Sequence, residues 1–310
     1  MYLNILFLLI GIALVLWGAD RFTDGASAVA RKWHVSELVI GLTIVSMGTS
    51  LPEFIVSFLS TLRGSSDMSV GNILGSNIFN TLVIVGASAL MMQMAVGKSL
   101  LFRDIPLCLG ISVLFYLLCF DSRIAQWEGG ILCVLFCAYL AYTFYISKRE
   151  NQAEPAQDAI QKDMPAWKIV GLLIIGIGCL VGGGQLLVNN AVELARMWGV
   201  SESVIGLTIL AGGTSLPELA TSVVAARKGS EGLALGNVVG SNIFNISFVI
   251  GICSTIRPMM LEQISILDWS VFLGSCVILW LTAITGKKLS KGEGLFLLLC
   301  YGAYLFKLLS

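Results

Sequence analysis

Two glutamates of this sequence lie inside long apolar stretches. Glu53 ends the segment GLTIVSMGTSLPE (41–53), and Glu218 ends GLTILAGGTSLPE (206–218), which is identical at ten of thirteen positions and begins 165 residues later. If these stretches cross a membrane, each carboxylate costs at least about 2.5 kcal/mol on insertion scales. Carboxylates in such places mark ion or proton pathways, and acids buried only to bond helices together are the alternative. We therefore predict that both side chains bind a cation or a proton.

A proline precedes each glutamate and frees backbone oxygens nearby. Pro52 and Pro217 have no N–H to donate to the carbonyl four residues back, so carbonyls within 46–49 and 211–214 lose a helical partner. At membrane depth, such carbonyls persist only where protein, water or an ion satisfies them. Carbonyl, hydroxyl and carboxylate oxygens suit Ca2+ and Na+ and, among transition metals, Mn2+. The sequence therefore predicts a cation site built from oxygen ligands.

A second repeated segment adds polar side chains on another predicted helix. It is GNILGSNIFN at 71–80 and GNVVGSNIFN at 236–245, again 165 residues apart. The polar residues at four-residue spacing are Asn72, Ser76 and Asn80 in the first copy and Asn237, Ser241 and Asn245 in the second. Residues four apart lie on one face of a helix, so each trio forms a polar stripe. We predict that the stripes line the cation site, with hydrogen bonding between helices as the alternative role.

The composition places these motifs in a membrane. Of the 310 residues, 56% are hydrophobic and 12% are charged, whereas soluble domains carry about 25% charged residues. The chain is therefore predicted to be an all-α integral membrane protein. Its eight cysteines lie in apolar runs and are predicted to be buried free thiols, and the single histidine, His34, is predicted to lie in a loop. Neither a nucleic-acid partner nor a cofactor is predicted.

Ten apolar stretches are long enough to cross the hydrocarbon core, which takes about 20 helical residues. They are 2–28, 38–62, 68–92, 104–120, 127–147, 167–193, 203–226, 233–256, 266–285 and 292–309. The polar linker 148–165 separates a first five-helix repeat (1–147) from a second (166–310). Five crossings leave the chain on the opposite side, so the second repeat must be inverted relative to the first. This inversion is expected to bring both copies of each motif together near the midplane.

Lysines and arginines are distributed unevenly between the two predicted sides. Fourteen fall on the side of the 148–165 linker and five on the other. The positive-inside rule then places the linker in the cytoplasm and both termini outside, in the cytoplasmic (inner) membrane. Asp20 and Asp24, near the end of the first span, align with Gln185 and Asn189. The sequence leaves open whether these two acids lie at the membrane surface or act in transport.

The doubled motifs G-T-S-L-P-E and G-N-x-x-G-S-N-I-F-N resemble the alpha repeats of the cation/calcium exchanger superfamily, most closely those of prokaryotic sodium/calcium exchangers. The resemblance implies a ten-helix antiporter, functional as a monomer, whose first and sixth helices slide to switch access. The implied Ca2+ ligands are the carboxylates of Glu53 and Glu218 and the carbonyls of Thr49 and Thr214. The implied Na+ sites add Ser50, Ser76, Ser215 and Ser241 and the carbonyls of Ser46 and Ala211, with Asn80 and Asn245 at the middle position.

The middle position bears on the counter-ion. Some relatives carry an aspartate where Asn245 stands, and those that require potassium also carry an acid in this motif. Asparagine at both 80 and 245 therefore argues against potassium dependence. Proton/calcium exchangers typically carry a second acid in the G-N motif, so its absence favours Na+ over H+. The alternative is an H+-coupled Ca2+ or Mn2+ exchanger that uses Glu53 or Glu218 as its proton site.

Two other classes of function fit the sequence less well. A cation channel is expected to form a continuous pore, whereas a duplicated chain with broken helices supplies an enclosed site. An intramembrane enzyme would need catalytic groups, but the chain has no H-E-x-x-H motif and its one histidine is predicted in a loop. We therefore predict a transporter and not an enzyme.

Overall fold

Helices make up nearly the whole of the described chain. The structure is a computed structural model that describes residues 2–150, 164–199 and 211–309. The first half contains α1 (Tyr2–Trp33), α2 (Glu37–Thr49), α3 (Leu51–Leu62), α4 (Ser66–Met91), α5 (Leu100–Leu118) and α6 (Gln126–Glu150). The second half contains α7 (Ala166–Met197), a short helical segment (Ala211–Gly213), α8 (Leu216–Arg227), α9 (Glu231–Ile256), α10 (Ile266–Gly286) and α11 (Lys291–Leu309).

These helices correspond to the ten predicted spans. Among the described residues, seven helices are long and apolar enough to cross a membrane, and α2 and α3, bent by 48° at a short break, form an eighth span together. Helix α11 occupies the tenth predicted span. The seventh predicted span, 203–226, begins outside the described residues, and α8 forms its second part.

Two helices begin at the prolines of the first motif. Pro52 is the second residue of α3, and Pro217 is the second residue of α8. Proline suits the first turn of a helix, where an N–H would have no helical partner. Each proline therefore starts a new helix instead of kinking a continuous one, and the glutamate that follows it lies in that helix's first turn.

Helices α1 and α7 pack against each other along glycines. A Cβ atom on Gly11 would lie 2.9 Å from the carbonyl oxygen of Gly183, and one on Gly18 would lie 2.9 Å from that of Gly176. Small residues let membrane helices approach this closely. Only 22% of the apolar window of α1 is buried, against 94% for α9. The α1/α7 pair is therefore peripheral, while α9 lies at the centre of the molecule.

Two short antiparallel ladders join the halves. The strands are β1 (Met94–Ala95), β2 (Arg123–Ile124), β3 (Met259–Met260) and β4 (Lys288–Leu289). Strand β1 pairs with β4, and β2 pairs with β3. The 165-residue offset relates β1 to β3 and β2 to β4, so the two ladders are counterparts in the inverted repeat.

The polar stretch between the halves lies largely outside the described residues. Helix α6 ends at Glu150, and α7 begins at Ala166. The division of the chain into 1–147, 148–165 and 166–310 therefore remains a prediction.

Candidate cation-binding site

The two motif glutamates are fully buried at helix N-termini. Neither Glu53 nor Glu218 has any exposed surface (0%). Each lies in the first turn of its helix, α3 or α8, where the helix dipole stabilises a negative charge by about 0.3–1 kcal/mol. This offsets only part of the cost of burying a carboxylate, so each group needs further partners.

Serine hydroxyls link each glutamate to the other half of the chain. Ser50 Oγ donates to Glu218 Oε1 at 2.7 Å, and Ser215 Oγ donates to Glu53 Oε1 at 2.9 Å. Ser76 Oγ, on α4, lies 3.5 Å from Glu53 Oε1. Each serine of the first motif therefore bonds the glutamate of the opposite repeat, and the two copies of the motif meet at one place in the core.

Six buried oxygen atoms of the two repeated motifs have no hydrogen-bond partner in the described part of the chain. They are Glu53 Oε2, Glu218 Oε2, Thr214 Oγ1, Ser241 Oγ, Asn80 Oδ1 and Asn245 Oδ1. Carboxylate and amide oxygens only accept hydrogen bonds, and a buried acceptor without a donor costs about 1–3 kcal/mol. A bound cation satisfies such oxygens, which makes this arrangement suited to hard metal ions.

The middle asparagines begin widened helical turns. Asn80 begins the π-helical turn Asn80–Ile84 within α4, and Asn245 begins Asn245–Ile250 within α9. Other such turns are Gly41–Val45 in α2 and, away from the motifs, Leu100–Asp104 in α5. Turns of this kind are frequent at functional sites. The sequence pattern carried no signal for them.

Two further asparagines, which the sequence analysis missed, bond the middle pair. Asn245 Nδ2 donates to Asn77 Oδ1 at 3.0 Å, and Asn80 Nδ2 donates to Asn242 Oδ1 at 3.3 Å. Both additional residues are buried (1% and 2%). The repeated S-N-I-F-N segment contained them, but their three-residue separation from Asn80 and Asn245 placed them off the four-residue stripe.

The first residue of each stripe, Asn72 or Asn237, forms hydrogen bonds to the helix that carries the glutamate, α3 or α8. Asn72 Nδ2 donates to Ser57 Oγ at 3.0 Å and to the carbonyl of Glu53 at 3.3 Å. Asn237 Nδ2 makes the equivalent bonds to Ser222 Oγ at 2.9 Å and to the carbonyl of Glu218 at 3.4 Å. These two asparagines thus bond helices together.

The segments before the two breaks keep more of their backbone bonds than the prolines suggested. Ser50 N–H donates to the carbonyl of Ser46 at 3.0 Å, because α2 continues to Thr49 before the chain breaks. The Thr49 hydroxyl donates to Asn237 Oδ1 at 3.1 Å. In the second half, the described residues resume at Ala211 in a helical segment that ends at Gly213, just before Thr214. The carbonyl of Ser46 thus accepts from the Ser50 N–H and also lies 3.5 Å from the Thr49 hydroxyl, so it is not the free carbonyl that the proline predicted.

Asp20 and Asp24 lie apart from this site. Lys228, just after α8, places its Nζ 2.7 Å from Oδ1 of each aspartate and donates to the carbonyl of Asp20 at 3.0 Å. The two carboxylates are 37% and 41% exposed. They therefore do not contribute to the buried oxygen cluster, and they join α1 to the end of α8.

The remaining metal-binding residue types give no second site among the described residues. No three histidine, cysteine, aspartate or glutamate side chains come together there. The cysteines are free thiols, but only half of them are buried as predicted, namely Cys108, Cys119, Cys253 and Cys276. The side chains of Cys133, Cys179 and Cys300 are partly exposed, and Cys137 is exposed because it faces outward from α6. His34 lies in the turn between α1 and α2, with φ of 51°.

Comparison with known proteins decides the family. The family model described as "Sodium/calcium exchanger protein" matches residues 3–145 and 168–309, which cover both halves. The chain belongs to the sodium/calcium exchanger family. It is 39% identical to CaxA of Alkalimonas amylolytica, described as a candidate antiporter, over 98% of each chain. It is 32% identical to the sodium/calcium exchanger MaX1 of Methanosarcina acetivorans, over 97% of each chain.

The fold of this exchanger also matches a solved structure. The sodium-calcium exchanger NCX_Mj, soaked with 2.5 mM Na+ and 0.1 mM Ca2+, has a TM-score of 0.84 and 30% identity, with 99% of this chain and 98% of that chain covered. The protein is therefore a multi-pass membrane antiporter with the ten-helix, two-repeat exchanger fold. It is not an enzyme, and ions are its substrates and not cofactors.

Proposed function

We propose that this exchanger couples inward or outward movement of Ca2+ to opposite movement of Na+ by alternating access, at a site centred on Glu53 and Glu218. The observation that carries the proposal is the group of buried oxygens without partners, among the described residues, on these carboxylates and on other side chains of the same two motifs. The two carboxylates supply a charge of −2, which one Ca2+ neutralises and which several Na+ can share. When empty they repel each other, so occupied states are favoured. A site of this kind suits an exchanger, which changes sides only when loaded.

The proposed ligands follow the motifs. For Ca2+ they are the carboxylates of Glu53 and Glu218 and the carbonyls of Thr49 and Thr214. For Na+ they include the hydroxyls of Ser50, Ser76, Ser215 and Ser241 and the carbonyls of Ser46 and Ala211, with Asn80 and Asn245 at the middle position. The cross-repeat bonds from Ser50 and Ser215 support this assignment, since they place both hydroxyls directly on the carboxylates.

Sodium is the proposed counter-ion because the two repeated motifs contribute two acids only, Glu53 and Glu218. The middle position has amides at Asn80 and Asn245, both fully buried (0%). An amide offers an oxygen to Na+ but does not take up a proton at neutral pH. Proton coupling would therefore have to use one of the two glutamates that also hold Ca2+.

The proposed orientation rests on the distribution of basic residues. With fourteen lysines and arginines on the linker side and five on the other, we place the linker in the cytoplasm and both termini outside. We further propose that the protein resides in the cytoplasmic membrane and functions as a monomer, since both halves of the site come from one chain.

The test is Ca2+ uptake into proteoliposomes loaded with Na+, compared with vesicles loaded with K+ or choline and with vesicles carrying an imposed pH gradient. We expect Ca2+ uptake only into the vesicles that are loaded with Na+. Glu262→Gln, which changes an exposed acid outside the site, is the matched control for acid-to-amide variants and should transport normally. Uptake driven by the pH gradient alone would replace Na+ with H+ as the counter-ion.

A further inference from the structure

We propose that Asn77 and Asn242 are positioning residues for ion selectivity. They hold the side-chain amides of Asn245 and Asn80 so that both present oxygen, and not nitrogen, to the transported cation. The inference rests on the proposed function, because it assumes that the middle position binds Na+. It assigns a role to two residues that lie behind the ligands.

An asparagine ligand needs such a restraint because its two ends are nearly the same shape. The Oδ1 atom accepts hydrogen bonds and binds cations, whereas the Nδ2 group only donates and repels a cation. A half-turn of the side chain exchanges the two groups. An aspartate has no such ambiguity, so Asn80 and Asn245 require a neighbour that fixes their orientation.

A first series of hydrogen bonds begins at the backbone carbonyl of Asn242. A carbonyl only accepts, so Asn77 must direct Nδ2 toward it, and the distance is 3.1 Å. The Oδ1 of Asn77 then lies on the other side of the amide and accepts Nδ2 of Asn245 at 3.0 Å. This leaves Asn245 Oδ1 buried and without a protein partner among the described residues. The orientation of Asn245 thus follows from an atom that cannot change its role.

A second series of hydrogen bonds joins Thr81 of the first half to Asn242 of the second half and then to Asn80 of the first half. Asn80 Nδ2 donates to Asn242 Oδ1 at 3.3 Å, and Asn242 Nδ2 donates to Thr81 Oγ1 at 2.8 Å. Asn80 Oδ1 is left buried and unpartnered in the described chain. A hydroxyl can donate as well as accept, so Thr81 restrains Asn242 less strictly than a carbonyl would. The counterpart of Thr81 at the 165-residue offset is Ile246, which has no hydroxyl. The two series of hydrogen bonds therefore differ.

The four amides are buried and cross between α4 and α9. Their exposed fractions are 1% for Asn77, 0% for Asn80, 2% for Asn242 and 0% for Asn245. Each positioning residue therefore orients the ligand of the opposite repeat. Because the four side chains are almost fully buried, a misdirected amide loses its protein partners, and the restraint acts without any charge.

The experiment is a double-mutant cycle on the half-saturating internal Na+ concentration for Ca2+ uptake into proteoliposomes. The variants are Asn77→Leu, Asn245→Leu and the double variant. We expect Asn77→Leu to raise the half-saturating Na+ concentration about tenfold, the value of one well-placed contact. The double variant should be no worse than Asn245→Leu alone, because Asn77 acts only through Asn245. A purely structural role would instead give effects that add.

Two further variants complete the test. Thr81→Val keeps the side-chain shape and removes only the acceptor of Asn242, so it stays informative if Asn77→Leu does not fold; we expect a two- to threefold weaker Na+ dependence, about the loss of one neutral hydrogen bond. Ser88→Ala, a buried hydroxyl of α4 away from the site, is the matched control and should behave as wild type.

Unchanged Na+ dependence in Asn77→Leu and Thr81→Val, or fully additive effects in the cycle, would overturn the inference. Ca2+ uptake by the wild-type protein that ignores internal Na+ would instead overturn the proposed function. The two failures are therefore distinguishable in the same vesicles.

Discussion

Glu53 and Glu218 each place one carboxylate oxygen on a serine of the opposite repeat and leave the other without a partner among the described residues. Replacing either with glutamine keeps the shape and removes one of the two charges. We expect Glu53→Gln and Glu218→Gln each to lower Ca2+ uptake at least about 100-fold, because roughly 3 kcal/mol is a modest cost for losing a direct charge–ion contact. Size-exclusion profiles should match wild type. Normal uptake in both variants would refute the site.

Asn245 tests the ion profile at the middle position. Asn245→Asp adds a third acid to the buried site, and an acid can take up a proton where the amide cannot. We expect the variant's Na+-dependent Ca2+ uptake to become more sensitive to pH, weakening as the pH falls and protons compete for the new carboxylate. The measurement is uptake against pH for wild type, Asn245→Asp and the counterpart Asn80→Asp. Identical pH profiles for all three would show that this position does not contact the ion.

At the scale of the helices, hydrophobic stretches and one repeated spacing predicted most of the fold. The ten spans follow from the apolar stretches, the duplication and its two motifs from the 165-residue offset, and the inversion from the five spans in each half. The break itself was less predictable, because Pro52 starts α3 after a break at Ser50 instead of kinking one continuous helix. The π-helical turns at Asn80 and Asn245 have no signature in the sequence pattern.

The sequence also did not predict which side chains of the site bond to each other. Ser50 lies three residues before Glu53 yet bonds Glu218, and only the packing of the two repeats decides this. Asn77 was missed because it does not lie on the four-residue spacing of Asn72, Ser76 and Asn80, although it is repeated as Asn242. A search for repeated polar residues without regard to spacing would have found both.

Close packing of α2 against α9 gives a prediction for a glycine. A Cβ atom on Gly240 would lie 2.6 Å from the carbonyl oxygen of Leu42 and 2.7 Å from Ser46 Oγ. Overpacking of this kind costs about 1–3 kcal/mol. We therefore expect Gly240→Ala to lower the melting temperature in detergent. Gly110→Ala is the matched control, since Gly110 is exposed on α5 with no atom within 4 Å of the new Cβ and alanine favours a helix by up to about 1 kcal/mol. Equal melting temperatures would contradict the packing argument.

At the scale of the whole molecule, the two repeats differ at the ends of α1 and α7. Asp20 and Asp24 of α1 bind Lys228 on the linker side. The equivalent residues of α7 are Gln185 and Asn189, and Gln185 Nε2 donates to Asn189 Oδ1 at 2.7 Å. Amides carry no charge, so these two residues cannot form the equivalent ion pairs. The exchanger therefore has an electrostatic link between α1 and α8 that its second repeat cannot reproduce with α7.

This link is expected to bias access to the site. If α1 moves relative to α8 during exchange, Lys228→Gln removes a restraint on the linker side and favours the conformation open to that side. Partly exposed ion pairs contribute at most about 1 kcal/mol, so the shift in population is at most about fivefold. We expect the half-saturating Ca2+ concentration measured from the linker side to fall by up to that factor, and the effect to shrink at high salt.

Two controls distinguish the loss of the ion pairs of Lys228 from the loss of a positive charge elsewhere. Lys32→Gln removes an exposed charge at the end of α1 and should leave the half-saturating concentration unchanged. Exchanging the charges, with Lys228→Asp and Asp24→Lys together, should restore part of the wild-type behaviour, because the two side chains still meet with opposite charge. If Lys228→Gln behaves as wild type at low salt, the ion pairs only anchor the surface and do not influence which side of the membrane the site faces.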